Sequence, residues 1–312
     1  MSILLIGSLD DEDYADWKTH LLAHLPEGET LVLATEPHDV EAVDVALVAN
    51  PPHGTLARYP HLRFVQSLWA GVDRMLSDPA LPTDIPIARL VDPALTQAMV
   101  ECALASVLLL HRQLPAYARQ QARAEWKQLA QPLAGQRRVG VLGLGALGGA
   151  CATALAGVGF AVSGWSRAPK SIEGVTCLSG AEGMDRLVET SDILVNLLPL
   201  TPDTAGILDA RLFGRLPPGA GLVNLARGRH LVEEDLLAAL QAGQVGHAVL
   251  DVFTQEPLPA AHPFWAHPGI TVLPHVAAYS APESAARIAL ENVARHRAGQ
   301  PTTAMVDPVR GY

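Results

Sequence analysis

A single glycine-rich turn constrains this chain more than any other feature. Val139 to Leu142 is a short apolar run, followed by Gly143-Leu144-Gly145-Ala146-Leu147-Gly148, a segment of small residues, and a second apolar run at Phe160 to Trp165. The order reads as strand, tight turn, helix and strand. Each glycine has its own task in such a unit: Gly143 lets the chain turn, Gly145 lets the backbone approach a pyrophosphate, and Gly148 lets the helix lie close on its strand. The helix N-terminus then offers free amides and the positive end of its dipole to phosphates.

The second apolar run leads into Ser166-Arg167, where a carboxylate would ordinarily accept the ribose 2′-hydroxyl of NAD. No acid stands there. Ser166, Arg167 and Lys170 supply a hydroxyl and two cations, which suit a 2′-phosphate that a carboxylate would repel. The reading favours NADP(H), with NADH accepted less well. The plain alternative makes Arg167 and Lys170 solvated loop side chains.

With 312 residues the chain can build two cored domains, and its 49% hydrophobic and 17% charged residues suit a compact fold. A formal charge of −10 argues against nucleic acid or an anionic membrane as partner, while leaving room for a local basic pocket. Cys102, Cys151 and Cys177 are scattered without a disulfide framework, which points to a reducing compartment, the cytoplasm. No signal peptide is read at the N-terminus, and the apolar run Cys102 to Leu110 is shorter than the ~20 residues of a spanning helix.

Along the chain, Ile3 to Ile6 reads as a buried strand and Asp10 to Leu25 as a helix with Trp17, Leu21 and Leu25 on one face. Apolar runs follow at Leu31 to Leu33, Val43 to Ala49, Leu62 to Leu68 and Ile87 to Leu90. Strands alternating with helices predict a parallel sheet, so the first ninety residues form a small α/β unit. WAGVD at 69 to 73 ends one of these strands, where open sheets place ligand loops. Ala70 and Gly71 are small enough for their amides to approach a carboxylate, although an ordinary turn would read the same. Pro93 to about Leu114 and Ala116 to Leu129, with Trp126, are predicted as helices suited to linking domains or packing on another subunit. Later strands are predicted at Ile193 to Leu198, Gly221 to Leu225, Gly246 to Val252 and Ile270 to Leu273. A helix opens on Glu233-Glu234-Asp235 and stops at Gly243, and a last one covers Pro282 to Arg297.

Three polar residues stand at or just beyond the ends of late strands: Arg227, Glu256 and His275. In a doubly wound sheet such ends share one edge with the glycine turn. The chemistry suggested is carbonyl reduction. Histidine suits a proton donor, a neighbouring carboxylate would hold it protonated, and an arginine fork suits a 2-oxo acid. Each also has an ordinary reading: Arg227 as a capping or ion-pair residue, Glu256 as turn chemistry before Pro257, His275 as one of twelve histidines. His262, His267 and His275 match no metal-ligand spacing, so no metal is expected.

AGVD at 70 to 73, GLGALG at 143 to 148, NLLPLTPDTAGI at 196 to 207, NLARG at 224 to 228, LDVFTQEPLP at 250 to 259 and PHVAA at 274 to 278 together resemble the D-isomer-specific 2-hydroxyacid dehydrogenases. GWSRAPK, NLARGRHLVEEDLLAAL and the terminal Arg310-Gly311-Tyr312 are most similar to the glyoxylate/hydroxypyruvate reductase A group. The resemblance implies an α/β chain of two domains: a Rossmann-type doubly wound parallel sheet over 93–286, and a smaller flavodoxin-like substrate domain from 1–92 and 287–312. It implies Arg227 as the residue that orients a 2-oxo acid, His275 as proton donor and Glu256 as its partner. Trp69, Ala70 and Gly71, with Arg227 and His275, would meet the substrate. Leu144, Gly145, Ala146 and Leu147 would lie along the pyrophosphate; Leu198, Pro199, Thr204, Leu225, Ala226, Arg227 and His275 would line the cofactor, and Asp251 would meet the nicotinamide carboxamide. A homodimer through the nucleotide domain is also implied. Trp69 and Tyr279 depart from the family pattern near the substrate. The activity expected is NADPH-dependent reduction of glyoxylate, hydroxypyruvate or a related short 2-oxo acid to the D-2-hydroxy acid. The alternatives are an NAD-linked enzyme for a bulkier acid such as phosphoglycerate, and a nucleotide-sensing corepressor-like protein.

Overall fold

Ser2–Gly7 (β1) buries Ile3, Leu4 and Leu5 completely. A strand covered on both faces belongs inside a parallel sheet, which explains its unbroken apolar sequence. Asp11–His24 (α1) starts where the Asp10 carboxylate accepts the Asp13 amide at 2.8 Å, with acids in its first turn and Trp17 and Leu21 in the core. Thr30–Leu33 (β2), Val43–Ala49 (β3), Phe64–Ser67 (β4), Asp73–Leu76 (α2) and Ile87–Ala88 (β5) follow. The strands pair in parallel in the order β2-β1-β3-β4-β5, the flavodoxin-like arrangement.

The computed structural model describes residues 1–82, 84–307 and 311; Arg310 and Tyr312 of the terminal motif therefore lie outside the described residues. The chain forms two compact units, Met1–Leu95 with Ser280–Tyr312, and Thr96–Tyr279. The divisions fall at 95/96 and 279/280 where 92/93 and 286/287 were expected. The first lies inside a continuous helix that starts at Pro93, and the second precedes the helix Pro282–Arg297, which stays whole in the first unit. That helix packs on α1 and β4, and its Ala285, Ala289, Leu290 and Val293 are buried. Its buried Asn292 donates to Gln66 Oε1 at 2.9 Å, and Arg297 pairs with Glu29 and Asp44.

The second unit opens with Pro93–His111 (α3) and Leu114–Ala122 (α4). Both helices end earlier than their composition predicts. Gln113 at φ +56° breaks the first, and Ala124 at φ +51° closes the second. Beyond Arg123 the arm is held by side chains: the Leu129 amide donates to Tyr117 Oη at 3.0 Å, and Gln113 Nε2 donates to the Ala130 carbonyl. Trp126, expected inside a helix, stands on this arm almost fully exposed. α3 is long and apolar enough to cross a bilayer, but its Met99, Ala103 and Val107 are buried in the core of this unit.

The sheet that follows comprises Arg138–Leu142 (β6), Ala161–Trp165 (β7), Thr176–Leu178 (β8), Ile193–Asn196 (β9), Ala220–Asn224 (β10), Val245–Leu250 (β11) and Ile270–Val272 (β12). Between them lie Ala146–Val158 (α5), Gly180–Thr190 (α6), Ala210–Phe213 (α7) and Glu233–Gln241 (α8), and the chain's last helix, Pro282–Arg297, is α9. All seven strands are parallel in the order β12-β11-β10-β9-β6-β7-β8. The strand order reverses between β6 and β9, and a doubly wound sheet binds its ligand outside the carboxyl ends at such a point.

Candidate active site

The glycine turn sits at that reversal. Gly143, at φ +94°, approaches the next connection so closely that a Cβ there would lie 2.7 Å from the Leu197 carbonyl oxygen. A Cβ on Gly148 would meet the Gly143 oxygen at 1.7 Å, so α5 can lie on β6 only with glycine at 148. A Cβ on Gly145 would meet nothing within 4 Å, and Gly145 caps α5 without a side-chain hydrogen bond. Gly145 and Ala146 are exposed, Leu147 is half-buried, and Leu144 is buried against Gly164. The turn thus presents an open, glycine-faced surface and uncapped first-turn amides, which fits a dinucleotide pyrophosphate.

At the end of β7 the Ser166 amide donates to the Leu178 carbonyl at 3.1 Å, and its hydroxyl to the Ala168 carbonyl at 2.8 Å. This short turn leaves Arg167 and Lys170 exposed beside the sheet edge, with no acid between them. Such a cationic turn fits a 2′-phosphate. Across the switch point, Thr204 Oγ1 ties its own loop by accepting the Thr201 amide at 2.8 Å and donating to the Pro199 carbonyl at 2.7 Å. Leu198, Leu225 and Ala226 are buried under the same edge.

Arg227, Glu256 and His275 follow β10, β11 and β12, three neighbouring strands, and the fold brings them together. His275 Nδ1 lies 2.7 Å from Glu256 Oε2, while Glu256 Oε1 accepts the Phe253 amide at 2.8 Å. The hydrogen bond to Glu256 raises the His275 pKa, outweighing burial and the nearby Arg227 charge. Burial would raise the Glu256 pKa, but the bonds from His275 and the Phe253 amide, with the positive charges of His275 and Arg227, hold it below the usual value. Both groups are partly solvated, at 49% and 34% side-chain exposure, so these charges are screened as well as coupled. With Nδ1 engaged by Glu256, Nε2 is the ring nitrogen able to deliver a proton.

Asp251 anchors this histidine from below. It is buried, and its two carboxylate oxygens accept the amides of Val276 at 2.8 Å and Ala277 at 3.0 Å. Its carbonyl accepts the His275 amide at 2.9 Å. Asn196 and Asn224, absent from the residues singled out in the sequence, make a second scaffold at the ends of β9 and β10. Asn196 Nδ2 donates to Asn224 Oδ1 at 3.0 Å, and Asn224 Nδ2 donates to the Arg227 carbonyl at 3.2 Å. The sequence signal was an asparagine closing each of two otherwise apolar runs, ILVN and GLVN.

In the first unit the Trp69-Ala70-Gly71 loop leaves β4 with the Trp69 amide on Ser67 Oγ, and the Trp69 ring meets Trp17 edge-on at 6.0 Å. Among the described residues the Ala70 and Gly71 amides donate no hydrogen bond. His262 pairs with Glu233 at 3.1 Å and His267 Nδ1 accepts the Gly269 amide at 3.1 Å; no metal-binding group of acids, histidines or cysteines occurs among the described residues. Tyr279 is exposed.

A doubly wound dinucleotide-binding sheet with an imidazole–carboxylate pair and a guanidinium on its carboxyl edge defines a dinucleotide-dependent oxidoreductase. The family model described as D-isomer specific 2-hydroxyacid dehydrogenase, NAD binding domain, matches residues 104–277. Glyoxylate/hydroxypyruvate reductase A of Serratia proteamaculans is 44% identical over 302 residues, covering 95% of this chain and 96% of that protein. A D-isomer specific 2-hydroxyacid dehydrogenase from Xanthobacter autotrophicus, solved with NADPH and MES, superposes with a TM-score of 0.94 at 42% identity over 100% of this chain and 99% of its own. The NADPH-dependent glyoxylate/hydroxypyruvate reductase of Sinorhizobium meliloti, solved with NADP and sulfate, gives 0.93 at 38% identity over 100% and 99%. The chain belongs to the D-isomer specific 2-hydroxyacid dehydrogenase family.

Proposed function

We propose that this protein uses NADPH to reduce glyoxylate, hydroxypyruvate or a related short 2-oxo acid to the D-2-hydroxy acid. The observation that carries the reading is the 2.7 Å His275–Glu256 pair, set beside Arg227 on the same sheet edge as the glycine turn. Bound NADPH supplies the hydride. His275 delivers the proton from Nε2 to the carbonyl oxygen, and Glu256 keeps the ring protonated and oriented. Arg227 binds the carboxylate and polarises the adjacent carbonyl, so that charge developing on the oxygen meets a fixed cation. The substrate-binding role of Ala70 and Gly71 rests on amides that donate no hydrogen bond among the described residues, and that of Trp69 on its place beside them. Ser166, Arg167 and Lys170 receive the 2′-phosphate, which supports NADPH over NADH, as do the relatives solved with NADPH and NADP.

Loss of NADPH absorbance on adding glyoxylate or hydroxypyruvate tests the reading; no turnover with any short 2-oxo acid would sink it. Arg167→Gln is expected to raise the KM for NADPH by about tenfold or more, the worth of a charge-assisted contact, and that for NADH little. Equal effects on both would remove the phosphate role.

The free thiols Cys102, Cys151 and Cys177 support a cytoplasmic setting. Homodimer formation through the nucleotide domain is supported by the exposed apolar side chains Leu114, Trp126 and Leu133 on α4 and its arm. Light scattering is expected to give about twice the mass of one chain; a monomer at working concentration would contradict it.

A further inference from the structure

Arg89 lies one residue beyond β5, where the sheet of the first unit ends at its carboxyl edge. β5 pairs with β4 through Gln66 and Ala88, and the Leu90 amide donates to the Trp69 carbonyl at 3.0 Å. Residues 88–90 therefore run beside the segment that leads into Ala70 and Gly71. On the other flank the Arg89 amide donates to the Ala304 carbonyl at 3.0 Å, and Ala88 bridges to Met305. The position of Arg89 is fixed from both sides.

Its side chain is partly buried, and that burial lowers the guanidinium pKa. Among the described residues it has no hydrogen bond, ion pair or acidic neighbour. Two other partly buried arginines are held by acids: Arg297 by Glu29 and Asp44, and Arg215 by Asp185 and Glu189. A cation partly withdrawn from water without a partner is less favourable than a paired one, and an arriving anion would lower that cost. The neighbouring Ala70 and Gly71 amides are donors without acceptors at the same edge. In a chain of net charge −10, three unmet donors of this kind at a ligand edge point to one chemistry.

We propose that Arg89 is a substrate-binding residue which receives the carboxylate of the 2-oxo acid together with the Ala70 and Gly71 amides. The proposal rests on the reductase reading and adds a residue to it. Because a carboxylate keeps its charge throughout the reaction, Arg89 binds ground state and transition state alike, and its loss appears in KM.

The test uses Arg89→Met and Arg89→Lys in the full chain, with oxalate as an unreactive carboxylate probe. For Arg89→Met the KM for glyoxylate is expected to rise roughly 10- to 100-fold, the worth of a charged hydrogen bond, with kcat within about threefold and the KM for NADPH unmoved. Oxalate should raise the melting temperature of the parent chain and not that of Arg89→Met, whose melting temperature without oxalate should be equal or higher. Arg89→Lys should fall between the two in KM. An unchanged KM, or equal stabilisation of parent and variant by oxalate, overturns the proposal. Should Arg89→Met not fold, the same two readings on Arg89→Lys decide it, unchanged values again overturning it. If the parent chain reduces no 2-oxo acid, the reductase reading fails by itself, and the oxalate comparison still decides whether Arg89 receives a carboxylate.

Discussion

His275 holds a left-handed backbone, φ +56°, a conformation that costs a non-glycine residue on the order of 1 kcal/mol or more. Asp251 maintains it, because its carbonyl and both carboxylate oxygens accept three successive amides of the His275 turn. The imidazole is thereby delivered to Glu256, whose hydrogen bond raises its pKa above 6.5. Carbonyl reduction needs the protonated ring, so kcat/KM for reduction should be high at low pH and fall as pH rises through the raised pKa. The linked stability has the same sign: it is fully present below the unfolded pKa of 6.5 and lost as pH rises through the folded value. Glu256→Gln keeps an acceptor near Nδ1 but removes the charge, and the falling limb should move toward lower pH. A limb that stays in place would deny Glu256 its electrostatic role. His275→Gln should lower kcat by roughly 10²- to 10⁴-fold while leaving NADPH binding intact; full activity in that variant would exclude the proton-donor role.

For the elements, backbone clearance decides more than composition. α5 approaches β6 until no room remains for a side chain at 148, so Gly148→Ala should push α5 outward and misplace the first-turn amides proposed to meet the pyrophosphate. The expected result is weaker NADPH binding together with a lower melting temperature, read by fluorescence titration and thermal unfolding. NADPH affinity equal to that of the parent would show that α5 does not set the cradle. This unit was legible in the sequence because a turn flanked by two apolar strands leaves few alternatives. β8 and α6 were not, since β8 is three residues long and only partly buried, and α6 begins Gly-Ala-Glu-Gly with few apolar positions. The arm after α4 misled because Ala116 to Leu129 has helix-forming composition, whereas its end depends on left-handed Ala124 and on Tyr117 and Gln113 holding the returning chain. Arg227, Glu256 and His275 could be picked out as strand-end residues. Asn196 and Asn224 left only the trace of an asparagine closing two apolar runs, and Arg89 left none, because their significance lies in partners gained or missing only after folding.

Across the whole molecule the chain leaves its first unit at Leu95 and returns to it at Ser280, so one core is completed only by the C-terminal helix. α9 contributes Ala285, Ala289, Leu290 and Val293 to that core, and the Asn292–Gln66 bond joins segments far apart in sequence. The second unit has its own core and carries the glycine turn. A ligand stabilises the unit it binds through mass action, which gives the two cores separate responses. Leu290 is 2% exposed, and Leu290→Ala should cost about 2–5 kcal/mol in the first unit alone. Calorimetry of that variant should therefore show an early transition lowered by on the order of 10 °C, followed by a later one near the parent value. Saturating NADPH should raise the later transition and leave the early one in place, because the removed methyl groups belong to the unit that lacks the glycine turn. A single transition that NADPH shifts as a whole would mean instead that the two cores unfold as one cooperative body.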